Sequence, residues 1–198
     1  HDAHCRLALR LHASVICEKP LVISPWNLDQ LEQIEAEYGG KIYTVLQLRL
    51  HPEAQRLKAA IESGTGERLQ CSLQYVTRRG AWYDQSWKGR ENKSGGLAMN
   101  IGIHFFDLLI WLFGSVQTSK VLVREDRRLQ GVLELERADV RWNLSIEIDD
   151  LPEGHLEKGL HAHRALTIGQ DAFDFSSGFD DLHTRVYEDI LSGGGFSI

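Results

Sequence analysis

The sequence has no paired-cysteine framework, no surplus of positive charge and no serine elbow or Walker loop, and each gap narrows the function. Three cysteines, Cys5, Cys17 and Cys71, are an odd number without CxxC spacing. They read as reduced, mostly buried thiols of a cytoplasmic protein rather than as a disulfide scaffold. A formal charge of −6 argues against nonspecific nucleic-acid binding, which needs a basic surface. No apolar run is expected to span a bilayer, because the best candidate, Phe105 to Phe113, is interrupted by Asp107. Residues 1–20 lack the basic start, apolar block and small-residue cleavage site of a leader, although they read like the middle of a domain. The histidine pairs His1/His4 and His161/His163 come without a cysteine or carboxylate set, so no metal site is expected.

What is present is an ordinary globular balance, 42% hydrophobic and 25% charged over 198 residues. That length suits one large domain, or a small domain with part of another. "HDAHCRLALRLH" carries Ala3, Leu7, Ala8 and Leu11 at helical spacing, and "SVICE" reads as a short buried strand. "SPWNLDQLEQIEAEYGG" predicts a helix capped by Asn27, with Leu28, Leu31 and Ile34 on one face and a Gly39-Gly40 stop. "KIYTVLQLRL" predicts the next strand, so the front is a βαβ unit of a parallel sheet. Beyond Leu50 the character changes. A helix with Pro52 in its first turn and Gly64 at its end leads to a strand in "ERLQCSLQYVTRR". A long polar stretch, Gly80 to Gly96, precedes the apolar helix of "LAMNIGIHFFDLLIWLFG". Strands in "KVLVRE", "QGVLELE" and "DVRWNLSIEI", a hairpin in "HRALTIGQDAFDF" and a last amphipathic helix in "DDLHTRVYEDILSG" complete an α+β half with an antiparallel sheet. Two unlike halves meeting near Leu50 predict a crevice at the junction.

Three places can carry chemistry. Lys19 follows the strand 14–18 directly, and ligands of open parallel sheets bind beyond the carboxyl ends of strands. Pro20 biases Lys19 towards an extended backbone, and an ammonium there can hold a sugar hydroxyl and stabilise an alkoxide. The plain alternative is a charge pair, Glu18 and Lys19, that closes the strand and faces water. In the apolar helix, Asn100, His104, Asp107 and Trp111 share one stripe opposite Leu97, Ile101, Phe105, Leu108 and Leu112. His104 is the member of that stripe that can exchange a proton near neutral pH, with Asp107 placed to orient its ring. A structural histidine satisfied by Asp107 fits the same pattern. The third place is "RRGAWYDQSWKGRENK", where Arg78, Arg79, Lys88, Arg90 and Lys93 outnumber Asp84 and Glu91, with Trp82, Tyr83 and Trp87 interleaved. Arginine forks suit diphosphate oxygens, and flat rings can cover a sugar or base. An exposed loop is the alternative.

"CEKPLV" followed by "SGGLAMNIGIHFFDLLIWLFG" resembles the Gfo/Idh/MocA oxidoreductases, over essentially the whole chain. The wording of "LQLRLHP", "RRGAWYDQSWKG" and "NIGIHFFDLLIWLFG" is similar to one subgroup, the UDP-N-acetylglucosaminuronate 3-dehydrogenases of bacterial O-antigen (lipopolysaccharide) synthesis, of the WbpB/WlbA type. The resemblance implies a fold class: an α/β remnant of a Rossmann NAD-binding domain at 1–49, then an α+β domain at 50–198 with a large, mainly antiparallel open sheet backed by helices. It implies NAD as cofactor, a nucleotide-sugar substrate oxidised at C3, and a homo-oligomer built on the open sheet face. Lys19 and His104 match the family's catalytic lysine and acid/base histidine, and are expected to face one pocket. Glu18, Lys19, Gln47, Trp87, Lys88 and Tyr187 match cofactor contacts; Arg78, Arg79, Tyr83, Asn100 and His183 match substrate contacts.

Two departures stand out. Most members carry Asp where this chain has Asn100, and an amide lowers repulsion towards an anionic substrate. The glycine-rich phosphate loop and acidic ribose residue that open the family's pattern do not precede His1. Most of the dinucleotide-binding sheet is therefore expected to be missing, and the chain alone to be inactive and weak in NAD binding. Other readings stay open: another pyranoside or cyclitol dehydrogenase of the family, or a non-catalytic oligomerisation or sensor fragment.

Overall fold

The computed structural model describes residues 1–64 and 66–197. They form two compact units, one of His1–Leu50 with Asp180–Ile198 and one of His51–Phe179.

In the first unit two short parallel strands, β1 (Val15–Cys17) and β2 (Ile42–Thr44), pair in the register Val15↔Ile42 and Cys17↔Thr44. Side chains alternate across them, and both faces are covered. Val15, Cys17 and Ile42 turn towards Cys5 and Leu9 of α1 (Asp2–Arg10) and Leu31 and Ile34 of α2 (Pro25–Tyr38). Ile16, Tyr43 and Val45 pack with Val186 and Ile190 of the last helix, Leu182–Leu191. That helix repeats Leu182, Val186 and Ile190 every fourth residue, one stripe wide enough to close the second face. Thr44 N donates to Phe196 O at 3.0 Å, so the tail runs alongside β2.

Three details correct the sequence reading. The 50–198 division fails at its end, because residues 180–198 complete the first unit: an amphipathic stripe does not name the sheet it covers. Helix α2 begins at Ser24, extended at φ −115°, with Pro25 in its first turn, rather than at Asn27. The strand expected through Leu50 stops at Thr44 and gives way to a 3₁₀ turn, Gln47–Leu50.

The second unit is built on a six-stranded sheet in the order β4-β5-β6-β3-β7-β8. Its strands are β3 (Leu69–Thr77), β4 (Val116–Arg124), β5 (Arg128–Leu135), β6 (Ala138–Ser145), β7 (Ala162–Ile168) and β8 (Asp171–Asp174). Every pairing is antiparallel except β3 with β6. One face carries Leu73, Tyr75, Val140, Trp142 and Leu144 and is covered by α6 (Ile103–Phe113). Phe106 meets Trp142 edge-on at 5.2 Å and Phe105 meets Tyr75 at 5.4 Å. Helix α3 (Pro52–Ser63) buries Leu57 and Ile61 and packs beside α6. The opposite face carries amides and charges, among them the cross-strand row Gln74, Asn143 and Gln130.

The polar stretch read as a loop is ordered into α4 (Ala81–Gln85), a 3₁₀ turn at Trp87–Gly89 and α5 (Glu91–Ser94). Glu91–Phe113 is long and apolar enough in composition to cross a membrane, against the expectation that no such run exists. In the fold it is broken at Gly95 and Gly96, both left-handed (φ 75° and 68°), and its apolar side is buried on the sheet. His51 ties the two ends of this unit together. Its Nδ1 accepts from Glu53 N at 3.2 Å, so Nε2 carries the proton and donates to Ser177 O at 3.0 Å.

Candidate functional site

In the first unit, the candidate residues gather at the carboxyl ends of β1 and β2. Strand β1 ends at Cys17, a buried thiol that desolvation pushes up to about 12. Glu18 and Lys19 follow, and the Lys19–Pro20 peptide is cis. Glu18 Oε1 lies 3.3 Å from His183 Nε2, so the first turn of the final helix, now α7 (Leu182–Leu191), is drawn to the strand end. Tyr187 stands one turn further on and is 41% exposed. Gln47 opens the 3₁₀ turn after β2; its Oε1 is buried and has no hydrogen-bond partner among the described residues. A buried acceptor left unpaired at the carboxyl end of a parallel sheet is the mark of a ligand position. The structure thus brings Glu18, Lys19, Gln47, His183 and Tyr187 into one unit.

In the second unit, His104 and Asp107 lie half-buried on α6, while Leu97, Ile101, Phe105, Leu108 and Leu112 are buried. The expected two-faced helix is present. Its start is not an ordinary α-turn, because residues Ala98–Gly102 form a π turn. Asn100 and His104 are therefore not related by the simple four-residue α spacing of the sequence reading. Gly102 is required there: a Cβ would lie 2.6 Å from a Leu144 methyl on β6 and 2.8 Å from the Phe106 ring.

Arg78 and Arg79 follow β3, Arg78 N donating to His161 O at 2.9 Å. Arg79 Nε is buried without a hydrogen-bond partner among the described residues. From there the helical segment 81–94 presents two aromatics and hides the third. Trp82 and Trp87 are about half exposed, whereas Tyr83 is 4% exposed. The Lys88 ammonium lies 5.6 Å and 5.8 Å from the Trp82 and Trp87 ring centroids. This corrects the reading of three equivalent flat rings: Tyr83 is turned inward, where Asn100 Nδ2 donates to its hydroxyl at 3.1 Å.

The sequence reading missed what holds this segment from the far side. Arg127, in the β4–β5 turn, donates to Asp84 Oδ1 at 2.9 Å and to Glu147 Oε1 at 2.5 Å, and Arg124 pairs with Glu91. Asp84, Glu91, Arg124 and Arg127 line an open cavity of about 850 Å³. The separation of Arg127 from Asp84 in sequence leaves no local pattern to read; only a charged hairpin turn hints at it.

The family model described as "Oxidoreductase family, C-terminal alpha/beta domain" matches residues 58–140. The chain is 46% identical to the WlbA (WbpB) dehydrogenase of Thermus thermophilus, crystallised with NAD and UDP-GlcNAcA, with a TM-score of 0.94 over 100% of this chain and 63% of that one. WlbA of Bordetella pertussis, solved with NADH and UDP-GlcNAcA, shares the fold at a TM-score of 0.81 and 19% identity, over 97% of this chain and 65% of that one. The protein YteT of Bacillus subtilis is 28% identical over 98% of this chain and 50% of its own length. The chain therefore spans between half and two thirds of these relatives. Residues 58–140, within its second unit, thus match the C-terminal alpha/beta domain of the Gfo/Idh/MocA oxidoreductases, and the whole chain is similar to the WlbA dehydrogenases.

Proposed function

We propose that the protein bearing this chain is an NAD-dependent dehydrogenase that oxidises the C3 hydroxyl of a UDP-N-acetylhexosaminuronate, in the synthesis of O-antigen or lipopolysaccharide sugars. The observation that carries the reading is the 46% identity, along the full length of this chain, to a dehydrogenase crystallised with NAD and UDP-GlcNAcA. The residues fit the cofactor: Gln47 holds a buried, unpaired acceptor at the strand ends, where Glu18, Lys19 and Tyr187 also stand. Trp87 and Lys88, of the second unit, are the other two cofactor contacts that the resemblance implies. NAD, when bound, supplies the acceptor for the hydride leaving C3.

The chain's own groups handle the proton and the charge. His104 takes the proton of the C3 hydroxyl, and Lys19 stabilises the negative charge that grows on the oxygen. Arg78, Arg79 and His183 bind the substrate's anionic groups, as arginine forks bind phosphate and carboxylate oxygens. Asn100 and Tyr83, expected from the resemblance as substrate contacts, are read here as acting from behind the site, since Asn100 Nδ2 donates to the inward-turned Tyr83 hydroxyl. Three buried free thiols fit a cytoplasmic setting, and the polar open face of the sheet fits pairing with another subunit.

The test is an NADH-formation assay of the native protein with UDP-GlcNAcA and with inositol. Turnover of the UDP-sugar acid supports the reading. Turnover of inositol alone moves the protein to the cyclitol dehydrogenases, and turnover of neither leaves the non-catalytic reading.

A further inference from the structure

The inner side of the segment from Trp82 to Lys88 is anchored at one residue. Asn100 Nδ2 donates to Tyr83 Oη at 3.1 Å and to Lys88 O at 3.4 Å. A carbonyl only accepts, so the amide must turn its NH₂ end towards Lys88. Little slack is left between the two anchor points. Ser86 Oγ donates to Tyr83 O at 3.0 Å and accepts from Lys88 N at 3.2 Å. A Cβ at Gly89 would stand 2.6 Å from Tyr83 O, so the turn closes only around a glycine. On its outer side the same seven residues carry the exposed Trp82 and Trp87 rings and the Lys88 ammonium. Asn100 itself belongs to the π turn that leads directly into the helix of His104.

We infer that Asn100 is a positioning residue: its amide donors fix the Trp82–Lys88–Trp87 cluster on the helix that carries His104. The inference rests on the reading above, in which that cluster receives the nucleotide part of the ligands. What position 100 requires is then a pair of N–H donors, not a particular shape. A carboxylate of the same outline would set acceptors against the Lys88 carbonyl and leave that carbonyl without its bond.

The experiment uses the native protein with UDP as probe, read by titration calorimetry and by amide hydrogen exchange across residues 82–89. Asn100→Asp, isosteric with the original side chain, is expected to weaken UDP binding about tenfold and to speed exchange at 82–89 by a similar factor. Asn100→Gln, one methylene longer but with the donors kept, is expected to stay within about threefold of wild type in both. A purely steric role predicts the opposite ranking. That ranking, or no change in exchange for Asn100→Asp, overturns the inference. If wild-type protein binds no UDP, the exchange ranking still decides the role of Asn100, and it is the functional reading that falls.

Discussion

His104 stands half-buried at the first turn of α6, one helical turn before Asp107, on a helix whose other side is locked into the sheet by Phe105, Leu108 and Leu112. A proton carrier gains from such a rigid seat, since a small displacement costs much of the rate. His104→Ala should lower kcat by about 10²–10⁴-fold while the UDP-sugar still binds, checked by NADH formation beside a binding titration. Equal losses in kcat and affinity would assign the residue to the structure instead. Lys19 and His104 could be singled out from sequence because each sits in a short stretch with local logic: a strand end before proline, and a polar stripe on an apolar helix. Tyr83 was not. Nothing in "AWYDQSW" says which ring turns inward; the partner of the inward ring is Asn100, 17 residues on and within the π turn. Asn100 also gains a second rationale. The sequence suggested relief of repulsion, and the structure adds two hydrogen bonds that a carboxylate could not donate.

At the scale of the element, the β4–β5 turn faces both ways. Arg127 reaches the 81–94 segment, while Arg128 next to it donates to Asp150 Oδ2 at 2.7 Å near the other face of the sheet. The Arg128 hydrogen bond, helped by Ser145, holds the Asp150 carboxyl below its usual range. The sign follows: a depressed folded pKa stabilises above the unfolded value of about 4, and that contribution is lost as pH falls through the folded value. Arg128→Met should therefore flatten the acid side of the stability curve, measured by thermal melts at descending pH; an unchanged slope would refute the link. Within β5, Gly131 leaves room for Trp142, since a Cβ would lie 2.4 Å from both the Lys120 carbonyl oxygen and the indole. Gly131→Ala should cost about 1–3 kcal/mol in a denaturant titration, because neither backbone nor packed ring yields cheaply. Strand positions were readable from alternation in "GVLELE" and "VRWNLSIEI". The helical order of 81–94 was not, because it comes from long-range ion pairs and a glycine that admits a carbonyl, neither of which has a period.

On the scale of the molecule, the sequence reads as two unlike halves meeting near Leu50, and the compact units divide after Leu50 and again after Phe179. The second crossing, at Phe179, was invisible because amphipathic spacing in "LHTRVYEDIL" marks a buried face without naming its partner. With no glycine-rich turn after either β1 or β2, this chain alone should show no micromolar binding of NADH by fluorescence titration; tight binding would contradict the reading. Deleting residues 180–198 should open the face around Ile16 and Val45, raising exchange at β1 and β2 while β3 and β6 stay protected.

That divided first unit has a consequence for biosynthesis. The stretch 51–179 is continuous and can collapse while the ribosome is still at work, whereas Ile16, Tyr43 and Val45 are translated before it and are covered by Val186 and Ile190, translated after it. Residues 1–50 must wait, with an apolar face uncovered, until the segment beyond 179 has been made. In a cell short of chaperones, it is this early-made, late-completed portion that should aggregate first.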